Sequence, residues 1–190
     1  KMKPEEAEKI LDDYLLTLDI HDVYSTVSVV KALVQHNPEK YSDLLIEELQ
    51  NGIEEKRKQL IRFAGELKHQ PAMHSLLAIS QNEEATYTLC EASIRALGML
   101  GAYEAVAPLI NQLSNDNLNI VVQVIEALGE IGDERAIPHL TPFLDDNRGA
   151  YYANWHMYQF AEIALKKFEH PDADNAINET FIRRNNLNDG

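Results

Sequence analysis

Apolar residues in this chain recur at steps of three and four. Between 117 and 131 they fall at Ile120, Val124, Ala127, Leu128 and Ile131, one face of a helix. The same spacing predicts long helices over 22–36, 53–68, 83–100, 117–131 and 150–168. Shorter helices alternate with them over 38–50, 71–80, 103–114 and 134–145, with a last one over 172–184. Local signals agree. Pro38 and Pro71 suit first helical turns, where the missing N–H of proline costs nothing. Asn82-Glu83-Glu84 and Asp116-Asn117 read as helix starts, with capping side chains and acids near the positive helix end. Gly101 and Gly132 close long helices, where glycine accepts a left-handed cap. No segment alternates with the period of two that a strand requires.

The helices repeat. Ile94-Arg95-Ala96-Leu97-Gly98-Met99-Leu100-Gly101 is paralleled by Ile125-Glu126-Ala127-Leu128-Gly129-Glu130-Ile131-Gly132, 31 residues on. Fainter copies stand at Val30-Lys31-Ala32-Leu33-Val34, at Ile61-Arg62-Phe63-Ala64-Gly65-Glu66-Leu67 and at Glu162-Ile163-Ala164-Leu165-Lys166. Such a period predicts an all-α fold, an α-solenoid of about five two-helix repeats. The expected layout is one domain over 1–190: a capping helix at 4–18, repeats over about 22–168, and a C-terminal helix and tail at 172–190. Gly98 and Gly129 lie inside helices, where glycine costs about 1 kcal/mol against alanine. That cost predicts a neighbouring helix crossing close to each.

The run Ala127-Leu128-Gly129-Glu130-Ile131-Gly132-Asp133-Glu134-Arg135-Ala136-Ile137-Pro138 resembles the signature of HEAT-like repeats of the phycobilisome-lyase type. The resemblance covers about 22–168 and is sharpest around 94–140. That pattern usually carries an arginine eight residues before the helix glycine. Arg57 keeps it, whereas Cys90 and Val121 replace it. The resemblance implies a solenoid whose second helices line a concave face. It implies function less sharply, since such repeats serve scaffolds, chaperone-like lyase subunits, inhibitors and a few enzymes.

Composition narrows the choice. The 190 residues are 45% hydrophobic with a net charge of −14, which fits a folded protein and opposes a general binder of nucleic acid or anionic membrane. The acidity is uneven: residues 1–50 and 101–150 each carry −6, and 51–100 carry none. No apolar run is long enough to cross a bilayer and no secretory h-region stands near the N-terminus, so a cytoplasmic location is expected. The lone cysteine, Cys90, sits among apolar neighbours and reads as a small buried hydrophobe. No HExxH, His-Glu pair, phosphate loop or hydrolase elbow occurs, so no catalytic residue, metal or cofactor is expected. A non-enzyme is the reading, with lyase-subunit or DNA-glycosylase-like activity left open.

Two groups of residues stand out. Arg57, Lys58, Arg62 and Arg95 form a short cationic strip on adjacent second helices, too few charges to grip a duplex. They are expected to pair with Glu54, Glu55, Glu91 and Glu126. The stretch 151–160 is rich in aromatics. As a helix it would place Tyr151, Trp155 and Tyr158 on one face, beside Tyr152, His156 and Gln159, either as a core cap or as a binding patch. The candidate partner-binding residues are Tyr24, Lys31, Lys58, Arg62, Tyr87, Glu91, Arg95, Glu126, Tyr152, Trp155, His156 and Gln159. The expected function is a non-catalytic module or scaffold that binds another protein. The alternatives are an immunity or inhibitor protein against a basic toxin or nuclease, and a lyase-like or chaperone subunit acting on a chromophore-bearing protein.

Overall fold

A computed structural model describes residues 6, 9, 10, 12, 13, 23–149 and 155–188. Ten α-helices account for most of them. They are α1 (Val23–His36), α2 (Pro38–Asn51), α3 (Glu54–Glu66), α4 (Met73–Gln81), α5 (Tyr87–Leu100), α6 (Val106–Gln112), α7 (Leu118–Ile131), α8 (Ile137–Leu140), α9 (Met157–Lys166) and α10 (Pro171–Asn188). The α-solenoid repeat unit, one shorter and one longer helix, recurs along the chain. The expected capping helix at 4–18 lies mostly outside the described residues. Glu6, Lys9, Ile10, Asp12 and Asp13 within it are helical. Among the described residues no helix is long and apolar enough to cross a membrane.

Helix ends follow their local chemistry, and they correct several expected bounds. The helix expected from 83 starts at Tyr87, because Asn82 spends its side-chain oxygen on the Glu84 N–H in a turn of its own, 2.9 Å away. Thr86 then begins the helix, its carbonyl accepting from the N–H groups of Leu89 and Cys90. The shorter helices expected at 103–114 and 134–145 are broken into tighter turns. Tyr103–Ala105 precedes α6, and Glu134–Ala136 and Thr141–Asp145 flank α8. Pro138 and Pro142 lack the N–H groups that would continue an α-helix through the second of these. Asn117 caps α7 by accepting from the Asn119 N–H at 3.0 Å, as the sequence predicts.

The chain forms two compact units, Lys1–Ser93 and Ile94–Gly190. In the first, α1, α2 and α3 pack on one another and α2 also meets α4. Val30, Leu33, Leu45, Leu49, Leu60, Ile61 and Leu76 are its fully buried centre. Polar links tie the repeats. Arg57 Nε donates to the Leu49 carbonyl at 2.7 Å, so the arginine that the repeat pattern keeps tethers the end of α2. Glu54 accepts from the hydroxyls of Thr86 and Thr88 at 2.7 and 2.8 Å, which holds its carboxyl below the usual carboxylate range. Cys90 holds the arginine's place one repeat later. Its Sγ faces the Ile79 carbonyl at 3.7 Å, and burial pushes the thiol up. Cys90 is half-buried, less enclosed than the buried hydrophobe its apolar neighbours predict.

In the second unit the longer helices meet through glycine. A Cβ on Gly98 would lie 2.9 Å from the Cα of Ala127, and one on Gly129 would lie 2.8 Å from the Cα of Ala164. Both contacts are with backbone, so no side-chain rotation relieves them. The helix-interior glycines predicted to mark close crossings do mark them, α5 on α7 and α7 on α9. Gly101 and Gly132 adopt φ of +67° and +69° at the following helix ends. Lys68 and Glu169 occupy the same repeat position with φ of +53° and +48°, where a side chain is strained. Ile94, Leu97, Leu109, Ile125, Leu128, Leu140 and Leu165 form the buried core of this unit.

Candidate partner-binding groove

Longer helices that pass so closely leave a groove along their outer faces. In the second unit α5, α7 and α9 line a cavity of about 440 Å³. Arg95 and Met99 come from α5, while Gln123, Glu126, Ala127 and Glu130 come from α7. Trp155, Phe160, Ile163, Ala164 and Lys167 come from α9 and the residues beside it. The repeat explains the set. Arg95, Glu126 and Ile163 hold one repeat position on successive helices, and Met99, Glu130 and Lys167 hold the position one turn later. Trp155 rests at 5.4 Å from the Phe160 ring and stays 40% exposed, and Ile163 is 44% exposed.

The charged groups of the groove are already engaged. Arg95 donates from Nε and a terminal nitrogen to the Gln123 side-chain oxygen at 3.3 and 3.1 Å, and Gln123 is buried. Lys167 Nζ lies 2.5 Å from Glu130 Oε1.

The structure distributes the sequence-predicted residues over several environments. It brings Arg95, Glu126 and Trp155 together in the groove. His156 and Gln159 instead serve the start of α9. The His156 ring accepts from the Gln159 N–H, while Gln159 Oε1 accepts from the His156 N–H at 2.8 Å. Met157 is the first residue of α9, so Trp155 and His156 precede the helix and do not share the helical face expected for 151–160. The cause lies in the loop before it. Asp146 binds the Arg148 backbone and guanidinium, Gly149 bridges to His156, and the N–H groups of Met157 and Tyr158 donate to the carbonyls of Arg148 and Asp146. Arg148 holds the Asp146 carboxyl below the usual range. Tyr151 and Tyr152 lie outside the described residues. Tyr158 is covered by the Arg184 guanidinium at 4.3 Å.

The remaining candidates belong to the first unit. Tyr24 is 74% exposed, and Lys31 sits over the Phe63 ring at 5.3 Å. Lys58 pairs with Glu55 at 3.2 Å, as expected, whereas Arg62 pairs with Glu66 at 3.3 Å and Arg57 is spent on the Leu49 carbonyl. Tyr87 is exposed and Glu91 half-buried on the first part of α5. Sequence reasoning missed Met99, Gln123, Phe160, Ile163 and Lys167. The repeat register alone carried a signal for Ile163 and Lys167, since they stand in line with Arg95 and Met99.

Comparison with known proteins agrees with this architecture. Residues 90–156 match the family pattern of HEAT repeats. The fold is an α-solenoid, HEAT-like over the matched residues, and its repeats resemble those of the phycobilisome-lyase type. It is 38% identical over 88 residues to the bilin biosynthesis protein PecE of Mastigocladus laminosus, an alignment covering 46% of this chain and 32% of that protein. A chain in the structure of the complex of CpcE and CpcF of phycocyanin lyase from Nostoc sp. PCC7120 shares the fold. The TM-score is 0.57 at 23% identity, over 73% of this chain and 63% of that one. This chain thus spans less than two thirds of either relative's length.

Proposed function

We propose that this chain is a protein-binding HEAT-like subunit, docking a partner protein along α5, α7 and α9 within a bilin-handling assembly. The observation that carries the reading is the groove itself. Three successive helices build its walls, and an exposed tryptophan and isoleucine stand on its rim in a geometry suited to an interface anchor. Kinship with a bilin biosynthesis protein supports the chromophore-related setting, and a neighbour seen in complex with a second chain supports action beside a partner. Docking needs no covalent chemistry from this chain, in keeping with a groove whose cations are held by Gln123 and Glu130.

The test is co-expression with CpcF of Nostoc, followed by size-exclusion chromatography and absorbance in the bilin region when bilin is supplied. A stable complex is expected, and Trp155→Ala is expected to weaken it about tenfold or more with helical content unchanged. Failure to associate with CpcF, together with no pigment carried through purification, would reject the reading.

A further inference from the structure

The groove also constrains the chemistry of what fills it. Its cations, Arg95 and Lys167, are balanced by two acids, Glu126 and Glu130, although the whole chain carries −14. Lys167 is bound to Glu130 at 2.5 Å, and Arg95 is bound to the buried Gln123. These four charges cancel, so a ligand of either sign gains no net attraction at the groove, and exchanging the exposed Lys167–Glu130 pair for a new one returns little. An uncharged apolar group can cover the groove with these pairs intact. The surfaces left for it are apolar. Phe160 and Ile163 stand on α9 with Trp155 just before it, Met99 on α5, and the small Ala127 and Ala164 also line the groove.

We infer that the groove receives a charge-neutral segment of the partner protein, which inserts bulky aliphatic or aromatic side chains between Trp155 and Met99. The inference rests on the protein-binding reading above and specifies its recognition chemistry. The acidic surface then contributes to solubility and orientation, while apolar contact at the groove sets affinity. Recognition at the groove is therefore nearly independent of ionic strength, in contrast to what the net charge alone suggests.

Trp155 is the single tryptophan of the chain, so its emission reports groove occupancy directly. The probes are three synthetic peptides that share one leucine-lined helical face and carry net negative, zero and net positive charge. Each is titrated into the full chain at ~20 and ~300 mM salt, on either side of strong screening. The neutral peptide is expected to shift Trp155 emission saturably, with a Kd that changes less than about twofold between the salts. Ile163→Asp, at an exposed position, is expected to weaken it about tenfold while the melting temperature stays near that of the parent. Tightest binding by the positive peptide with steep salt dependence would overturn the inference, as would no emission change with any peptide. CpcF binding that Ile163→Asp leaves untouched would also overturn it while sparing the protein-binding reading, which fails only if CpcF does not bind the parent chain.

Discussion

The repeats of α2–α3 and of α7–α9 follow one plan and hold their helices together by different means. Around α3 the links are ionic and polar. Arg57 tethers the Leu49 carbonyl, Lys56 is buried 3.4 Å from Glu48, and Glu54 collects two threonine hydroxyls. Around α7 the link is close packing of backbones, at Gly98 against Ala127 and Gly129 against Ala164. Polar links have directional partners and fail when one partner is removed. Glycine contacts have no partner to lose and fail when atoms are added. The glycine solution also sets the spacing of α5, α7 and α9, and the groove is a product of that spacing.

The sharpest way to break the comparison is to add atoms at α7. Gly129→Leu is expected to cost about 3 kcal/mol or more, since overpacking here meets backbone, and to lower the melting temperature and groove binding together. Next comes a partner loss at α3. Lys56→Ala leaves the Glu48 carboxylate beside a buried site and is expected to cost about 2 kcal/mol. Lys56→Ala with Glu48→Gln is expected to recover part of that loss in denaturant unfolding, and a purely additive pair would show that the two residues are not coupled.

A smaller effect of opposite sign is expected where the plan is strained. Lys68→Gly and Glu169→Gly place glycine at positive φ, as Gly101 and Gly132 already do, and each is expected to stabilise by ~1 kcal/mol or less. No gain at either would show that the surroundings relieve the strain. The smallest effect is that of pH on His69, which is buried with Nε2 2.9 Å from the Ser42 hydroxyl. Burial lowers its pKa below the ordinary histidine value of 6.5, so the folded state favours the neutral ring. Stability from this site is complete above that value and falls as pH drops through it toward the lowered pKa. Between pH 7.5 and 5.5, His69→Gln is expected to lose less melting temperature than the parent chain; an identical slope would remove His69 from the account.

Much of the architecture was legible in the residues. Steps of three and four placed most of the described helices to within a few positions, because an amphipathic stripe needs only local geometry. The glycines at 98 and 129 announced close crossings, since only a tertiary contact offsets glycine's cost inside a helix. Gly132 announced its left-handed cap. The start of α9 was not legible. A run of aromatics reads as a helix face, but Trp155 and His156 precede the helix, whose first N–H groups at Met157 and Tyr158 donate to the carbonyls of Arg148 and Asp146. His156 and Gln159, named as binding candidates by residue type, also form a reciprocal cap that residue type did not announce.

The candidate site divides in the same way. Arg95, Glu126 and Trp155 could be named from repeat register and residue type. That Phe160 and Ile163 join them, and that Lys167 neutralises Glu130, follows from helices spaced by glycine, which no local pattern states. By itself the sequence determined the repeat, its helices and the glycine positions, because these depend on periodicity and on φ preferences of single residues. The tertiary structure decided which cations remained at the surface as a groove and which were consumed as tethers. Whether Arg57 or Arg95 meets a carbonyl or an amide depends on what the neighbouring helix brings within hydrogen-bond reach.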